Sequence, residues 1–590
     1  MKYVQRTSYN IKNNFIENLI KDRGIIKNDS ELQLYLKPDS SVENNPISLD
    51  NMQEGFNLLM KHRDDKILII ADSDVDGFCS AAIAYNYFDY LRKKFGYKME
   101  LDYLLPEAKE HGLQTKVDYL MTEKKADLLF IPDSSSNDHN EIKALHDFGY
   151  DILIEDHHIF DYYDKNAVVI NSQGGDYSNR ELCGGGVVYK FIEYCDEYLG
   201  CNYAPNLLDL AATAIVGDMM NTNTLENRYL VTEGLKSFKN AGLRGLIRQQ
   251  AFSLFSKKVE EITEEFLDNC SLSQIQVAFY IVPLINALIR IGSDSEKEIM
   301  FKALISGEEL VDSTKRGHKG EKETIAEQAA RACSNIRNRQ NKEKDRAIEL
   351  LDIQIIENCL DDNKILILNA DDLDTPNTLT GLIAMGVSAK YKKPVLLGRI
   401  NNNGDFKGSI RGRGETELKD FRQLLLDSDL MEYVEGHANA AGFSLKEKNI
   451  DRLYQYANEK LKNIDFHQGI YEIDFRLNGN SPYLRELIFE IDKYMNIFGQ
   501  GNDEPMILVE SIPTQNFRLV GADKNTVNIG FNGIKYVKFK DDDLANALKS
   551  NSKSTINIIG RASINEWNGN RTPQIMITDW EFCDDKLNDF

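Results

Sequence analysis

The sequence predicts a multidomain α/β protein with a parallel-sheet domain, a long connecting helix, a second α/β domain and a C-terminal β-barrel. Three observations carry this prediction. The chain has 590 residues, too many for a single hydrophobic core. Short β-branched runs alternate with helical patterns in two separate regions, which favours parallel sheets with covered faces. The final region, 470–590, contains β-rich runs separated by turn residues, a spacing that indicates a small barrel.

The amino-terminal half contains the first strand–helix region. Residues 1–60 have the pattern of short helices and loops ahead of the first strong strand. The strands that follow are KILIIA (66–71), ADLLFIP (126–132) and YDILIE (150–155), with helical patterns between them. Residues from 205 to about 310 are mainly helical in pattern. A parallel sheet with helices on its faces is therefore expected here.

A long polar helix leads to the second strand–helix region. Residues 323–351 contain no Gly or Pro and keep one helical pattern, which is typical of a helix that bridges two domains. The second region starts at KILILNA (364–370) and continues to about residue 465. We therefore expect two α/β domains joined by this helix.

The composition is that of a folded globular protein, with 42% hydrophobic and 28% charged residues. The eight Cys residues include no pair with CxxC spacing, so neither a zinc site nor a disulfide framework is expected, and a reducing, cytoplasmic compartment fits best. No apolar run approaches the roughly 20 residues of a membrane span, and the amino terminus lacks the apolar stretch of a secretory signal. The formal charge of −23 argues against a nucleic-acid partner, but net charge says little about a local groove.

Acidic and imidazole side chains follow three of the predicted strands, at the point where each strand ends. They are Asp72, Asp74 and Asp76 after the first strand, Asp133 after the second, and Glu155, Asp156, His157 and His158 at the end of the third. Because the carboxyl ends of neighbouring parallel strands lie side by side, these side chains are expected to meet in one crevice. Such a concentration of negative charge is unfavourable unless cations neutralise it.

The residue types in this crevice indicate which cations it would hold. Mixed carboxylate and imidazole ligands suit Mn²⁺ or Mg²⁺ better than zinc. Two such ions about 3.5–4 Å apart can clamp both the attacking and the leaving oxygen of a phosphoryl transfer. Taken singly, an Asp-x-Asp after a strand is usually a turn or a helix cap, and a His pair is usually ordinary surface or core. Three acidic strand ends in order favour a centre for two divalent cations.

Four segments resemble the motifs of the DHH phosphoesterase family, in family order. They are ADSDVDG (71–77), PDSSSND (132–138), EDHH (155–158) and DLAATAIVGDMM (209–220). The resemblance implies that the metal ligands are Asp72, Asp74, Asp76, Asp133, His157 and Asp218. It further implies that Asp133 bridges the ions, that Asp156 orients His157, and that His158 faces the scissile phosphate. Asp218 enters on the resemblance alone, because in isolation it would be an ordinary acid at a helix end.

Nearly the whole chain resembles the RecJ-like exonucleases of this family. The matching segments are LIKDRGI (19–25), LYLKPDSS (34–41), LCGGGVVYKF (182–191), GSIRGRG (408–414) and EGHANAAGFSL (435–445). The resemblance implies that Gly184 and Gly185 let the backbone approach a phosphate, with close helix–strand packing as the equal alternative. It implies that Ser409 and Arg411 bind the 5′-terminal phosphate and that His437 approaches the substrate phosphate. Taken alone, GSIRGRG would be an exposed turn and His437 a structural histidine.

The C-terminal region resembles the RecJ OB-type domain at FGQGNDEP (498–505) and NEWNGNRTPQIMITD (565–579). OB barrels bind single strands through a basic groove and stacking aromatics, for which Trp567, Phe531 and Tyr536 are the candidates, although a barrel tryptophan is more often core.

Two departures from the RecJ pattern concern contacts with the strand. In PLINALIR (283–290), Leu284 stands where an arginine is usual, while Asn286 and Arg290, implied DNA contacts, are retained. Lys109 stands near the place of another expected arginine. The sequence is also rich in Asn and Lys, which suggests a phage or prophage version.

The resemblance implies six segments along the chain. They are an N-terminal helical segment (1–60), a DHH catalytic domain (61–240), a helical extension (241–322), a connecting helix (323–351), a DHH-associated substrate-binding domain (352–466) and an OB-type domain (467–590).

The implied activity is that of a two-metal 5′→3′ exonuclease that hydrolyses single-stranded DNA to mononucleotides, for DNA repair, recombination or replication. Two alternatives stay open: a DHH phosphodiesterase for short or cyclic oligonucleotides, and a non-catalytic relative that binds single strands. The expected partners are single-stranded DNA and a single-strand-binding protein or helicase, with no membrane. We expect a monomer in the cytoplasm, which is the host cytoplasm if the protein is phage-encoded.

Overall fold

The computed structural model describes residues 1–7, 14–107, 111–551, 553–567 and 570–583. Its strands are β1 (Lys2–Gln5), β2 (Lys66–Ile70), β3 (Glu100–Leu104), β4 (Leu128–Pro132), β5 (Asp151–Asp156), β6 (Val168–Asn171), β7 (Leu310–Asp312), β8 (Lys322–Thr324), β9 (Leu366–Asn369), β10 (Val395–Ile400), β11 (Asp405–Arg411), β12 (Met431–His437), β13 (Ala440–Lys446), β14 (Ile470–Ile473), β15 (Phe475–Asn478), β16 (Met506–Pro513), β17 (Phe517–Val520), β18 (Thr526–Phe531), β19 (Ile534–Lys538), β20 (Thr555–Trp567) and β21 (Asn570–Phe582).

The α-helices are α1 (Phe15–Asp22), α2 (Asp29–Leu36), α3 (Met52–Lys61), α4 (Val75–Phe95), α5 (Val117–Thr122), α6 (His139–Phe148), α7 (Gly184–Leu199), α8 (Leu208–Gly217), α9 (Leu225–Gly234), α10 (Ala241–Gln249), α11 (Ala251–Phe255), α12 (Glu264–Asp268), α13 (Gln274–Gln276), α14 (Val282–Ile291), α15 (Asp294–Ser306), α16 (Ile325–Glu357), α17 (Thr380–Tyr391), α18 (Phe421–Leu426), α19 (Ile450–Lys460), α20 (Tyr483–Lys493) and α21 (Asp542–Ser550). A π-helical turn, Val277–Ile281, joins α13 to α14.

The chain forms two compact units, and each contains a segment that is remote in sequence. The first, which we call the catalytic unit, comprises Ile26–Asn338 and Tyr494–Asp503. The second comprises Met1–Ile25, Arg339–Lys493 and Glu504–Phe590. The long helix α16 is continuous from one unit into the other, as expected of the predicted connecting helix. The six segments predicted from the sequence therefore subdivide these units. Besides the connecting helix, two of them also cross a boundary between the units: residues 1–60 are divided after Ile25, and 494–503 belong to a different unit from the rest of 467–590.

A five-stranded parallel sheet, in the order β3-β2-β4-β5-β6, forms the centre of the catalytic unit. The predicted strands of this region are confirmed as β2, β4 and β5, while β3 and β6 were not predicted. Apolar side chains of α3, α4 and α7 cover one face of the sheet, with α8 packed on α4 and α7, and those of α5 and α6 cover the other face. The predicted parallel sheet with covered faces is therefore confirmed.

The strand order opens a crevice at the carboxyl edge of this sheet. From β2 the chain passes to β3 on one side and then crosses back to β4 on the other. Loops that leave neighbouring strands in opposite directions leave a gap at the carboxyl edge, where ligands bind in α/β proteins. Asp74 caps the helix that starts here, because its carboxylate accepts a hydrogen bond from the Gly77 amide at 3.1 Å.

The segment Tyr494–Asp503, which we call the return segment, packs on the loop that follows α8. The Gln500 carbonyl accepts hydrogen bonds from the Thr222 amide and hydroxyl, both at 3.0 Å. The Gly501 carbonyl accepts one from Asn223 at 2.7 Å, and the Ile497 carbonyl accepts one from buried Arg228 at 3.1 Å. This segment, which the sequence had assigned to the OB-type domain, is therefore part of the catalytic unit.

One apolar stretch, Gln274–Ile291, is long and hydrophobic enough by composition to cross a membrane, which the sequence analysis had not recognised. Half of it is buried in the structure. Its α14 part contacts α4, α8 and α15 inside the catalytic unit. Partial burial with contacts inside the unit is typical of a core helix in a globular protein.

The second unit contains two larger sheets. A mixed five-stranded sheet has the order β12-β13-β11-β10-β9, and α17 packs against its strands β10 and β11. The predicted β-rich C-terminal region is a mixed seven-stranded sheet, in the order β15-β16-β20-β21-β19-β18-β17. The N-terminal β1, where only helices and loops were predicted, pairs in parallel with β14.

Candidate metal centre

Six of the predicted ligand residues lie together at the carboxyl edge of the parallel sheet. Two groups of ligand atoms, each within 4.8 Å of one another, are formed by Asp72, Asp74 and Asp133 and by Asp76, His157 and Asp218. A third group joins Asp133 to His157 and His158. Asp218 reaches the others from the C-terminal end of α8, on a different element from the strand ends. The structure thus brings all six side chains together, and their role as ligands stays a prediction.

The Asp76 carboxylate is held by the start of helix α7. Its two oxygens accept hydrogen bonds from the Gly184 amide at 2.8 Å and the Gly185 amide at 2.7 Å. The positive end of the helix dipole stabilises a carboxylate in this position. In the structure both amides thus donate to Asp76, and a phosphate contact of Gly184 and Gly185 stays a prediction.

The glycines also allow α7 to approach the acids closely. A Cβ on Gly184 would lie 2.5 Å from Asp133 Oδ1, and one on Gly185 would lie 2.6 Å from Ala214 Cβ. Both distances are far below ordinary contact. This close packing is the alternative that the sequence had left open for the glycine-rich segment.

Asp133, which follows β4, has the features of a residue held in place for a cation. Its φ of 65° lies in the left-handed region, which costs free energy for a residue other than glycine. Its buried Oδ1 has no hydrogen-bond partner among the described residues, although His157 Nε2 lies 3.3 Å away. Burial, together with the charges of the neighbouring aspartates, raises the pKa of Asp133 well above its usual value. A divalent cation would satisfy this oxygen and favour the ionised carboxylate.

Three other predicted ligands also have shifted pKa values. Burial and the charges of Asp76 and Asp74 raise the pKa of Asp218 to about 8. Burial and the charge of Asp76 raise the pKa of Asp74 to about 6. Burial lowers the pKa of His157, which favours the neutral imidazole that metals bind. The donor set of carboxylates and an imidazole therefore fits hard divalent cations.

Asp156 holds His158, whereas the sequence had predicted that it orients His157. One Asp156 oxygen accepts a hydrogen bond from the His158 ring at 2.8 Å and bonds to His157 only through the backbone amide, at 2.7 Å. The other oxygen accepts a hydrogen bond from the Ser136 amide at 3.1 Å. Burial opposes a charge on His158, but the bond to Asp156 and the nearby acids raise its pKa to about 9. The bond to Asp156 and the nearby acids therefore favour the protonated form of His158.

A residue that the sequence analysis missed, His111, lies beside the site. Its Nδ1 is 3.0 Å from an Asp72 oxygen, and its ring centroid is 4.7 Å from that of His158. The hydrogen bond to Asp72 raises the pKa of His111. The sequence offered one indication of His111: it lies two residues after Lys109, in the segment where the resemblance places an arginine. Lys109 itself lies outside the described residues.

Asn286 and Arg290, predicted DNA contacts, are in the same unit on α14. The Asn286 side-chain oxygen is buried without a hydrogen-bond partner in the described part of the chain. Arg290 is exposed in the last turn of α14. Partial burial lowers its pKa, and the negative charge of Asp74 opposes this shift. Arg290 is thus electrostatically linked to the acidic cluster.

Ser409, Arg411 and His437 lie on one face of the five-stranded sheet of the second unit. Ser409 and Arg411 are alternate residues of β11, so the GSIRGRG segment is mainly a strand and not an exposed turn. Arg411 and His437 are both paired in register with Ala440 of β13. A Cβ on Gly381 would lie 2.4 Å from Arg411 Nη2, which places the guanidinium beside the start of α17.

The aromatic residues predicted to stack on bases have different surroundings. Tyr536 is fully buried within the seven-stranded sheet region, so its side chain cannot serve as an exposed platform. Phe531 is partly buried at the end of β18. The side chain of Trp567 lies outside the described part of the structure.

Comparison with known proteins places the chain among its relatives. The family model for the DHH family, N-terminal domain, matches residues 66–215, and that for the RecJ OB domain matches residues 481–579. The chain is 34% identical over 575 residues, 95% of each protein, to the SPbeta prophage-derived YorK of Bacillus subtilis (strain 168), which carries the name of a single-strand DNA-specific exonuclease. It is 26% identical over 592 residues to the single-stranded-DNA-specific exonuclease RecJ of the same organism, covering 96% of this chain and 69% of that protein.

Solved structures show the same fold. The crystal structure of RecJ from Thermus thermophilus in complex with Mn²⁺ superposes with a TM-score of 0.68 at 19% identity, covering 96% of this chain and 75% of that one. The corresponding structure in complex with Mg²⁺ has a TM-score of 0.63. The chain therefore belongs to the DHH family, as a RecJ-like member.

Proposed function

We propose that the protein is a metal-dependent exonuclease that hydrolyses single-stranded DNA from the 5′ end to mononucleotides, in DNA repair, recombination or replication. One observation carries the proposal: two groups of three ligand residues meet at one sheet edge, with the unsatisfied Asp133 oxygen among them. The names of the relatives, which are single-strand DNA-specific exonucleases, support the substrate.

The cofactors we propose are two divalent cations, Mn²⁺ or Mg²⁺. One would be held by Asp72, Asp74 and Asp133, and the other by Asp76, Asp133, His157 and Asp218. A pair of such ions supplies a nucleophile at neutral pH and stabilises the charge that develops on a phosphodiester. RecJ crystal structures in complex with each of these ions support this choice.

The protein's own groups would fix the acids and bind the phosphate. The amides of Gly184 and Gly185 hold the Asp76 carboxylate in one orientation. The His158 ring, oriented by its Nδ1 bond to Asp156, can donate a hydrogen bond from its other nitrogen to an oxygen of the scissile phosphate. His111 lies beside both Asp72 and His158.

The 5′→3′ polarity would come from capture of the terminal phosphate in the second unit. Ser409 and Arg411 share a sheet face with His437, and the Arg411 guanidinium lies beside the N-terminal end of α17. A guanidinium and a helix N-terminus are both suited to a phosphate dianion. A strand anchored by its 5′ phosphate would lose one nucleotide per cycle.

The test is cleavage of oligonucleotides by an Asp133→Ala variant. We expect that variant to lose several orders of magnitude in rate with Mn²⁺ or Mg²⁺, because both ion positions depend on this carboxylate. Binding of single-stranded DNA should persist. Asp118→Asn, at an exposed acid on α5, is the matched control and should keep its full rate.

Substrate choice decides between the proposal and its alternatives. A long 5′-phosphorylated strand should be digested faster than a dinucleotide or a cyclic dinucleotide, and labelled 3′ ends should be released last. Preference for the short substrates would instead indicate an oligonucleotide phosphodiesterase. Binding without cleavage under either metal would indicate a strand-binding relative.

We propose that the protein is a monomer and works in the cytoplasm. If a phage carries the gene, this is the cytoplasm of its host. A single-strand-binding protein or a helicase would supply the strand. Sedimentation with and without DNA tests the oligomeric state.

A further inference from the structure

Two aromatic side chains are exposed on the apolar stretch that precedes Arg290. Phe279 is 72% exposed and Tyr280 is 39% exposed, while their neighbours Val277 and Ile281 are buried. Both lie in the π-helical turn Val277–Ile281. Such turns are uncommon and often occur at functional sites.

The aromatic pair borders a cavity of about 370 Å³ within the catalytic unit. Leu284 forms part of its apolar lining, and Arg337 and Ser334 of α16 contribute polar groups. The Ser334 hydroxyl is buried and has no hydrogen-bond partner among the described residues. The cavity therefore combines ring faces with hydrogen-bond donors.

Two arginines of the catalytic unit carry positive charge at or near this cavity. Arg337 lines it, and Arg290 is exposed on α14, the helix that also contributes Leu284 to the lining. The charge of Asp74, a predicted ligand, acts on Arg290, and the charge of Arg290 acts on Arg337. Both guanidinium groups attract a DNA phosphate.

We propose that this cavity is a binding subsite for single-stranded DNA, in which the undigested part of the strand passes Arg290 and Arg337 with its phosphates and stacks its bases on Phe279 and Tyr280. Phosphate-binding cations beside exposed rings are the usual means of holding single strands without regard to sequence. The inference rests on the proposed function for its substrate, but it assigns a site that the catalytic residues do not include.

The test is the double variant Phe279→Ala/Tyr280→Ala in the full chain. The matched control is Phe148→Ala, an exposed aromatic at the end of α6, just before the amino end of β5 and hence away from the catalytic edge. Steady-state cleavage with Mn²⁺ is measured on a 5′-phosphorylated oligonucleotide of about 20 nucleotides and on a dinucleotide. Loss of two stacking contacts should raise KM for the long strand by roughly 10-fold or more. Dinucleotide cleavage and the control should stay unchanged.

Equilibrium binding separates this inference from the proposed function. A fluorescent strand of the same length, bound without turnover in EDTA, should bind the double variant at least 10-fold more weakly, and Arg337→Ala should reduce the salt dependence of binding by about one phosphate contact. If the wild type cleaves nothing, the proposed function fails while this binding measurement still decides on the subsite.

Two results would overturn the subsite. One is equal affinity of the wild type and the double variant for the long strand. The other is that the aromatic pair supports binding to phosphatidylglycerol vesicles and not to DNA, which would make the exposed half of Gln274–Ile291 a membrane contact.

Discussion

Replacement of Gly184 by alanine tests whether the start of α7 sets the geometry of the metal centre. The new Cβ would lie 2.5 Å from Asp133 Oδ1, 2.6 Å from Asp133 Cβ and 2.8 Å from Asp133 Cα. Since non-bonded carbon atoms prefer roughly 3.5–4.0 Å, helix and loop must separate by about 1 Å. Asp133 is the residue that must move, because both its backbone and its side chain are in the way.

Gly184→Ala should lower both the stability of the fold and the rate of cleavage. Overpacking costs about 1–3 kcal/mol, partly offset by a gain in helix propensity of up to about 1 kcal/mol. A displacement of about 1 Å in a catalytic group can lower the rate about 100-fold. We therefore expect Gly184→Ala to fold and to lose about two orders of magnitude in kcat/KM.

Gly186→Ala is the matched control on the same helix. Its Cβ would meet the Leu182 side chain, at 2.4 Å from Cδ1, and not the acids. It should show a similar stability cost, measured by thermal unfolding in EDTA, with a rate within about threefold of the wild type, since no ligand is displaced. Near-normal cleavage by Gly184→Ala, or equal slowing of both variants at saturating Mn²⁺, would refute the reasoning.

Three further predictions concern the acids and the return segment. Asp133→Asn should raise the melting temperature in EDTA at neutral pH, because the raised pKa of Asp133 destabilises the folded protein above the usual carboxyl pKa and Asn does not titrate. The variant should also lose the Mn²⁺ stabilisation, which reaches about 2.7 kcal/mol at 100 times the Kd in the wild type; calorimetry with and without Mn²⁺ measures both changes. Asp156→Asn should lower kcat about 10- to 100-fold with little change in Mn²⁺ affinity, because Asp156 holds the His158 ring and not that of His157; a large loss of Mn²⁺ binding in a titration would contradict it. Thr222→Val should lower the free energy of unfolding by about 0.5–1.5 kcal/mol in denaturant, since the Gln500 carbonyl loses its hydroxyl donor but keeps the Thr222 amide; unchanged stability would count against the role of the return segment.

The strand-end acids could be predicted because their positions follow from local patterns. Short apolar runs identified β2, β4 and β5, and the rule for parallel sheets then placed Asp72, Asp133 and His157 at one edge. This step needs only the alternation of strands and helices. The resemblance was required for Asp218, because a helix-end acid carries no sign of which strand it faces.

Contacts that depend on side-chain direction or on distant segments could not be predicted. Asp156 is adjacent in sequence to both histidines, and only the direction of the rings decides that it bonds to His158. His111, which bonds to Asp72, lies in a stretch whose sequence has no periodic pattern. Tyr536 looked like a surface aromatic, but its place in β19 puts it on the buried face.

The return segment also has a consequence for how the enzyme is made. A ribosome that has synthesised the chain through Asn338 has supplied every acid of the crevice, yet the return-segment carbonyls that bond to Thr222, Asn223 and Arg228 are still untranslated. The stretch Arg339–Lys493 must emerge before these hydrogen bonds can form. Nuclease competence would then arise late in synthesis, and a fragment that stops short of Tyr494 would release an incompletely supported active site.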